Sequence, residues 1–111
     1  MDALREFLGA LESEGYSIRR EALVRGASGL RHVFSAIVNR GGGRILVEYA
    51  GDERELLRAL GKAVDVSGEK VLLLVDDRVY SVYGDNLGDS IKVVKIGDVE
   101  RILSSIEKML E

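Results

Sequence analysis

Six arginines are concentrated between Tyr16 and Val47, a segment in which the only acid is Glu21. The segment carries a net charge of +5, whereas residues 1–15 sum to −3 and residues 48–111 to −5. The guanidinium group is a planar fork of donors that matches phosphate oxygens, and a one-sided basic segment is typical of nucleic-acid binding. We therefore expect DNA or RNA as a partner, with phosphates contacted by Arg19, Arg20, Arg25, Arg31, Arg40 and Arg44. The alternative is that these arginines are solvated or pair with acids of the terminal helices, because the whole chain is acidic.

Other chemistry-bearing residues are few. His32 is the only histidine, so a histidine triad or a histidine metal pair within one chain is excluded. We expect it to be a packed or hydrogen-bonded residue of a strand. The chain has no cysteine, which excludes disulfides and thiolate metal sites and fits a reducing compartment. The acidic stretches 76–77 and 85–89 lack the spacing of a calcium loop and are predicted to be turns.

A β-hairpin is predicted to position most of these residues. Residues 30–38 and 44–50 are rich in Val, Ile, Leu, Phe and Tyr, and the glycines between them supply the positive φ angles of a tight turn. With Gly41 and Gly42 as the turn, directly opposed residues share a face of the sheet. The predicted pairs are Val38 with Ile45, Ile37 with Leu46, Ala36 with Val47, Ser35 with Glu48 and Phe34 with Tyr49. This register places Ser35, Glu48 and Ala50 on one face.

The remaining elements follow from hydrophobic periodicity. We predict a helix over residues 2–14, a strand over 16–25, a helix over 53–66 that begins with an Asp52–Glu55 capping box, a buried strand over 71–75, a strand over 91–96 and a last helix capped by Asp98. The segment from Val79 to Tyr83 fits either a strand or a short helix. The prediction is a single α/β (α+β) domain over residues 1–111, in the order αβββαβ(α/β)βα, with a mixed central sheet and helices on both faces.

Composition narrows the location. No apolar run approaches the roughly 20 residues that span a bilayer, and the amino terminus lacks a signal peptide's basic start. We therefore expect a cytoplasmic protein with no membrane contact. The absence of Gln, Thr, Pro and Trp, with only two Asn, is typical of a thermophile.

The run GASGLRHVFSAIVNRGGGRILVEYAG, residues 26–51, resembles the core of the restriction-endonuclease-like, or PD-(D/E)XK, nuclease superfamily. It is most similar to small archaeal members, in which a G-x-S-G-x-x-H-x-F-D segment leads into a hairpin that ends in E-x-K. The resemblance implies a metal-binding Asp at position 35 and an acid and a lysine at positions 48 and 50. Here those positions hold Ser35, Glu48 and Ala50, so the resemblance implies a degenerate site without catalytic residues. A helix carboxylate from Glu6 or Glu12 is the remaining candidate ligand.

Three functions follow in order of preference. The first is a catalytically inactive nuclease-fold domain that binds nucleic acid through the arginine-rich hairpin. The second is a protein-interaction module, a homodimer formed through a sheet edge or the terminal helix. The third is a magnesium-dependent nuclease that uses Glu48; otherwise no cofactor is expected. If residues 79–83 form a strand, the second half becomes a three-stranded meander that is similar to Roadblock-type modules, which dimerise and scaffold small GTPases.

Overall fold

The computed structural model describes residues 2–66, 68–83 and 90–110. One five-stranded sheet, with strand order β1-β2-β3-β4-β5, runs through this part of the chain. Strands β1 to β3 are antiparallel, and β4 and β5 extend the sheet in parallel. The elements are α1 (Asp2–Ser13), β1 (Ser17–Arg25), β2 (Arg31–Arg40), β3 (Gly43–Ala50), α2 (Glu53–Asp65), β4 (Val71–Val75), α3 (Asp77–Tyr83), β5 (Ile91–Lys95) and α4 (Val99–Met109). The mixed sheet and the helices confirm the predicted α+β class.

The glycine turn sets the register of the hairpin. Gly41 and Gly42 have φ values of +59° and +90°, which only glycine adopts without strain. Pairing begins at Arg40 with Gly43 and continues to Ala36 with Val47, as predicted. The β2–β3 ladder ends at the pair of Ala36 and Val47, although the structure describes all the residues that follow in both strands. The predicted pair of Phe34 with Tyr49 is therefore wrong, and Ser35 and Glu48 meet through their side chains instead.

The parallel half is built from helical crossovers. Asp52 caps α2 by accepting a hydrogen bond from the Glu55 backbone N–H at 2.8 Å, and the Glu55 carboxylate accepts from the Gly51 N–H at 2.7 Å. The segment from Val79 to Tyr83 lies within helix α3. Parallel neighbours need a crossover rather than a tight hairpin, so the strand alternative and the Roadblock-like meander are wrong. The predicted turn at 85–89 lies outside the described residues.

Each face of the sheet is covered by helices, as predicted. Helices α2 and α3 cover one face, which we call the α2 face, where Leu56, Ala63 and Val79 are buried against Leu46 and Leu73. Helices α1 and α4 cover the other, the α1 face, with a core of residues such as Leu11, Ile102, Ile106, Val47 and Leu72. In the described part of the chain, no helix is long and apolar enough to cross a membrane.

The first two strands reverse their faces partway along. Ala36 and Val38 of β2 pack into the α1-face core, whereas Phe34 packs into the α2-face core. A regular strand would put residues two apart on the same face. The reversal falls at Ser35 and at Glu21, whose φ of +48° is in the left-handed region that non-glycine residues rarely adopt. Neither residue takes part in the β1–β2 register, which skips from Arg20–Ala36 to Ala22–Phe34.

Beyond this reversal, β1 and β2 continue as a two-stranded ribbon without β3. We call residues 22–34 the outer ribbon; its register runs from Ala22–Phe34 to Arg25–Arg31. On the α2 face, Ala22, Val24 and Phe34 are buried. On the opposite face, the cross-strand pair Leu23 and Val33 is 59% and 51% exposed. The outer ribbon therefore has one packed face and one open face.

Candidate functional site

The point where β2 leaves β3 is closed by polar side chains. Glu48 Oε1 accepts hydrogen bonds from the Ser35 backbone N–H at 2.9 Å and from the Ser35 hydroxyl at 2.5 Å. The Ser35 hydroxyl oxygen in turn accepts from the Tyr49 backbone N–H at 3.3 Å. The backbone groups released by the end of the ladder thus find side-chain partners, as partly buried polar groups must. We call Ser35, Glu48 and Lys62 the fork cluster.

Lys62 supplies the cation of the fork cluster. It lies on α2, and its ammonium group pairs with Glu48 Oε2 and donates to the Val33 carbonyl oxygen at 2.6 Å. The side chains of Lys62 and Glu48 are only 22% and 13% exposed. Burial lowers the pKa of Lys62, because desolvation disfavours the charged ammonium. Lys62 was not predicted from the sequence. The only indication of its role is its position on α2, three residues after Ala59 and one before Ala63, which places it next to the buried side of the helix.

Two of the three residues expected at the degenerate site, Glu48 and Ala50, lie on the α2 face, where Ala50 is fully buried in the core. Ser35 contacts Glu48 through its hydroxyl and its backbone N–H. Both Glu48 oxygens already accept hydrogen bonds, and the Lys62 ammonium is beside them. Magnesium prefers several carboxylate or water oxygens in octahedral geometry. Among the described residues, no group of three or more His, Asp or Glu side chains is placed to hold a metal. The residues present do not fit a magnesium site.

The motif from Gly26 to His32 encloses a carboxylate of α2. Asp65 accepts hydrogen bonds from the Ser28 backbone N–H at 2.9 Å and from the Ser28 hydroxyl at 2.7 Å, and its Oδ2 is 2.6 Å from His32 Nε2. A Cβ on Gly26 would lie 2.0 Å from Asp65 Oδ2, so only glycine permits this approach. We call Ser28, His32 and Asp65 the latch cluster.

The latch cluster fixes the outer ribbon to the end of α2. The hydrogen bonds from Ser28, followed by that from His32, lower the pKa of Asp65 to about 2. The Ala27 backbone N–H also donates to the Asp65 carbonyl oxygen at 2.7 Å. The prediction that His32 is a hydrogen-bonded strand residue is confirmed. The signature motif of the resemblance therefore has a structural task in this chain.

The six predicted phosphate-binding arginines are spread over both faces. Arg20 lies on the α1 face, where it contacts Glu12 of α1 at 3.1 Å. Arg25 and Arg31 are cross-strand partners at the end of the outer ribbon, on the same open face as Leu23 and Val33. These three arginines are exposed.

The other three predicted arginines lie elsewhere. Arg19 is opposite Ile37, on the α2 face. Arg44 forms a forked pair with Glu69, and the hydrogen bonds of this pair raise its pKa. Arg40 lies 4.7 Å from the centre of the Tyr16 ring, at the opposite end of β2. Arg40 and Arg44 are therefore used within the fold, and Arg20, through Glu12 of α1, makes the kind of pair with a terminal helix that the alternative interpretation described.

A groove of about 320 Å³ adjoins the open face of the outer ribbon. The groove lies between α1 and the point where β1 and β2 reverse their faces. It also contains an exposed arginine that was not predicted from the sequence, Arg5 of α1. The lining residues are Leu4, Arg5, Leu8, Arg20, Glu21 and Ser35. We call Arg5, Arg20, Arg25 and Arg31 the arginine surface. Of the helix acids considered as metal ligands, Glu12 pairs with Arg20 and Glu6 is exposed.

A second polar contact lies at the carboxyl ends of β3 and β4. The Tyr49 hydroxyl donates to Asp76 Oδ1 at 2.8 Å. Burial, this hydrogen bond and the nearby carboxylates raise the pKa of Tyr49 to about 12. Tyr49 is therefore a neutral donor that joins two parallel strands, with no proton to exchange near neutral pH.

Comparisons with known proteins find similarity in sequence to one protein and in fold to another. No protein-family model matches the sequence. An uncharacterized protein of the archaeon Archaeoglobus fulgidus is 28% identical over 127 aligned positions, which cover 100% of this chain and 97% of that protein. The crystal structure of AF1548, a protein of unknown function, matches with a TM-score of 0.55 at 14% identity. That match covers 92% of this chain but 66% of the other, so the chain spans less than two thirds of the solved protein's length. The likeness supports the mixed α+β fold.

Proposed function

We propose that this chain is a nucleic-acid-binding domain on a restriction-endonuclease-like scaffold, and that it does not hydrolyse its ligand. The observation that carries the proposal is the arginine surface. Four arginines lie on one side of the sheet, around a groove and along the open face of the outer ribbon. Guanidinium groups on one face of a protein can pair with several phosphates of one nucleic-acid backbone.

The scaffold part of the proposal is supported by connectivity. A helix precedes three antiparallel strands, a second helix follows, and a parallel strand is added beside the third. Hydrophobic periodicity predicted this order, and the hairpin that the resemblance covers is its second and third strands. The motif residues Gly26, Ser28 and His32 cluster in space around Asp65, which is consistent with a motif kept for the fold.

The absence of hydrolysis is inferred from the fork cluster. A catalytic carboxylate must have oxygens open to a metal or to water. Both oxygens of Glu48 are engaged, one by Ser35 and one by Lys62, and Ala50 offers no base. The ammonium group of Lys62 also opposes a cation at this point. The fork cluster is therefore proposed to be structural.

The proposal is tested by binding and cleavage assays on the intact chain. Labelled single- and double-stranded DNA and RNA are titrated with protein between about 50 and 200 mM salt. We expect the affinity to fall steeply, with a log–log slope near −0.9 for each phosphate contacted, or about −3 to −4 for the four arginines. No binding at the lowest salt would contradict the proposal. Cleavage with magnesium or manganese that disappears in Glu48→Ala would contradict the inactive assignment.

A second candidate function, assembly with a second copy of the chain, is supported by the outer side of α2. Leu57 and Val64 are 57% and 68% exposed there, with Gly61 between them on the same helical stripe. A Cβ on Gly61 would meet nothing within 4 Å, so nothing in the described chain requires glycine at this position. The sequence had suggested a sheet edge or the terminal helix as the dimer interface, and this surface on α2 is neither of them. Sedimentation of the wild type and of Leu57→Glu is the test: a concentration-dependent dimer lost in the variant supports assembly, and a monomer throughout contradicts it.

A further inference from the structure

The open face of the outer ribbon carries an unusual side-chain arrangement. Leu23 lies opposite Val33, and Arg25 lies opposite Arg31, so two exposed apolar residues adjoin two exposed cations. Like charges directly opposite each other on a sheet are destabilising. An anionic ligand would relieve this repulsion, and the apolar pair would meet an apolar part of the same ligand.

The outer ribbon is held in place before any ligand arrives. Its packed face is buried against α2 through Val24 and Phe34. The latch cluster joins its turn to Asp65 through three hydrogen bonds. A segment that is already ordered loses little conformational entropy on binding. The outer ribbon is therefore an ordered surface element with one open face.

The shape and chemistry of the ribbon select among nucleic acids. The major groove of B-form DNA is about 12 Å wide and admits a two-stranded β-ribbon, whereas the minor groove is about 6 Å wide. The major groove of A-form RNA is too narrow and deep for side chains to read. Single strands are bound mainly by stacking on aromatic rings. Phe34, the only Phe, Tyr or Trp between positions 22 and 34, is fully buried, and His32 is hydrogen-bonded to Asp65. Double-stranded DNA fits this surface best.

We propose that the outer ribbon enters the major groove of double-stranded DNA. Arg25 and Arg31 contact phosphates or guanine edges, and Leu23 and Val33 contact the methyl groups of thymine, the apolar feature of that groove. Arg5 and Arg20, on the same side of the sheet, follow the adjacent backbone. This inference rests on the proposed nucleic-acid-binding function and specifies its ligand.

Chemically altered duplexes test the inference. One duplex contains thymine, and a second of the same sequence contains uracil in its place, which removes only the methyl groups from the major groove. We expect wild-type affinity to fall about fourfold for each buried methyl that is lost, as the transfer free energy of one such group implies. In Leu23→Ser/Val33→Ser the two duplexes should bind alike, because the apolar contact is gone. Both positions are exposed, so these substitutions leave the core intact.

Two further measurements separate the possible outcomes. Dimethyl sulfate, which attacks guanine N7 in the major groove, should be excluded from part of the bound duplex, and an RNA duplex of the same sequence should bind more weakly than DNA. Equal binding of thymine, uracil and RNA duplexes would overturn the groove assignment while leaving nucleic-acid binding intact. No binding to any nucleic acid would overturn both. A wild-type dimer that Leu23→Ser/Val33→Ser converts to a monomer would assign this face to self-association instead.

Discussion

The fork cluster and the latch cluster hold a carboxylate in the same way but in different surroundings. Each carboxylate accepts hydrogen bonds from the backbone N–H and the hydroxyl of one serine and contacts one basic side chain. The sets are Ser35, Lys62 and Glu48 at the fork, and Ser28, His32 and Asp65 at the latch. The charged side chains of both clusters are partly buried to a similar degree, but Ser35 is half-buried in the sheet, whereas Ser28 lies in an exposed turn. The same grouping therefore closes a gap in the sheet in one place and positions a surface element in the other.

Because the fork cluster closes a gap within the sheet, we expect it to contribute mainly to the free energy of unfolding of the whole domain. In Lys62→Met, the Glu48 carboxylate stays largely buried without its cationic partner, and the Val33 carbonyl oxygen loses a donor. Breaking a buried pair on one side costs about 3–5 kcal/mol, and we expect about 2–3 here because Glu48 keeps its bonds to Ser35. Urea unfolding measures the change.

The double variant is the control for this largest effect. Glu48→Gln/Lys62→Met removes both charges, so its loss of stability should be smaller than the sum of the two single losses. If the single losses add, or if Lys62→Met matches the wild type, the ion pair contributes nothing to the closure of the fork.

Two glycines give a matched test of the latch. Gly26→Ala places a Cβ against the Asp65 carboxylate and should destabilise by about 1–2 kcal/mol, as overpacking does. Gly61→Ala, at an open position inside α2, should stabilise by about 0.5–1 kcal/mol, because alanine favours the helix. Thermal and urea unfolding of both variants provide the comparison. A neutral Gly26→Ala would mean that the close approach of Asp65 is not required.

The two serines compare the clusters directly. Ser35→Ala removes a donor to a largely buried carboxylate and an acceptor for the Tyr49 N–H, and we expect it to cost about 1–1.5 kcal/mol. Ser28→Ala removes one donor to Asp65 in a more exposed turn, where water replaces it, and should cost about 0.5 kcal/mol. Equal costs at the two sites, measured by urea unfolding, would remove the distinction between a half-buried and an exposed serine.

Asp65→Asn keeps one acceptor oxygen but removes the carboxylate charge, so the loss of stability that it causes at neutral pH should shrink as the pH falls. The folded pKa of Asp65, about 2, lies below its ordinary value of 3.8. Its contribution to stability is therefore present above about pH 4 and is lost as the pH falls toward 2. Urea unfolding between about pH 5 and 2 should show a flatter profile for Asp65→Asn than for the wild type. Parallel profiles would show that Asp65 is not the group whose protonation loosens the latch.

The hairpin shows how far local sequence signals reach. Two glycines with positive φ and two apolar strands sufficed to predict the turn and the pairs from Ala36–Val47 to Val38–Ile45. The prediction failed beyond Ala36 because β1 and β2 reverse their faces at Glu21 and Ser35, and neither residue is the glycine that usually signals such an irregularity. The sequence of residues 79–83 alone did not distinguish a helix from a strand. The helix follows from the parallel pairing of β4 and β5, which needs a crossover between the two strands.

The candidate sites depend on tertiary placement. Lys62 and Asp65 lie on α2, far in sequence from the hairpin residues they contact, and no spacing rule connects them. Arg5 joins Arg20 only because α1 packs beside β1. By contrast, the contact between Ser35 and Glu48 was predictable, because extending the hairpin register by one pair places the two residues opposite each other, although the observed ladder ends at Ala36 and Val47.

The most direct test of the proposed function is the salt dependence of duplex DNA binding by variants of neighbouring arginines. Arg25→Ala/Arg31→Ala removes two cations from the open face of the outer ribbon, while Arg19→Ala removes another exposed cation of β1 from the α2 face. We predict that the double variant reduces the log–log slope by about 1.8 and that Arg19→Ala leaves it unchanged. Equal slopes in the wild type and the double variant, or a reduced slope in Arg19→Ala alone, would contradict the assignment of this face to nucleic acid.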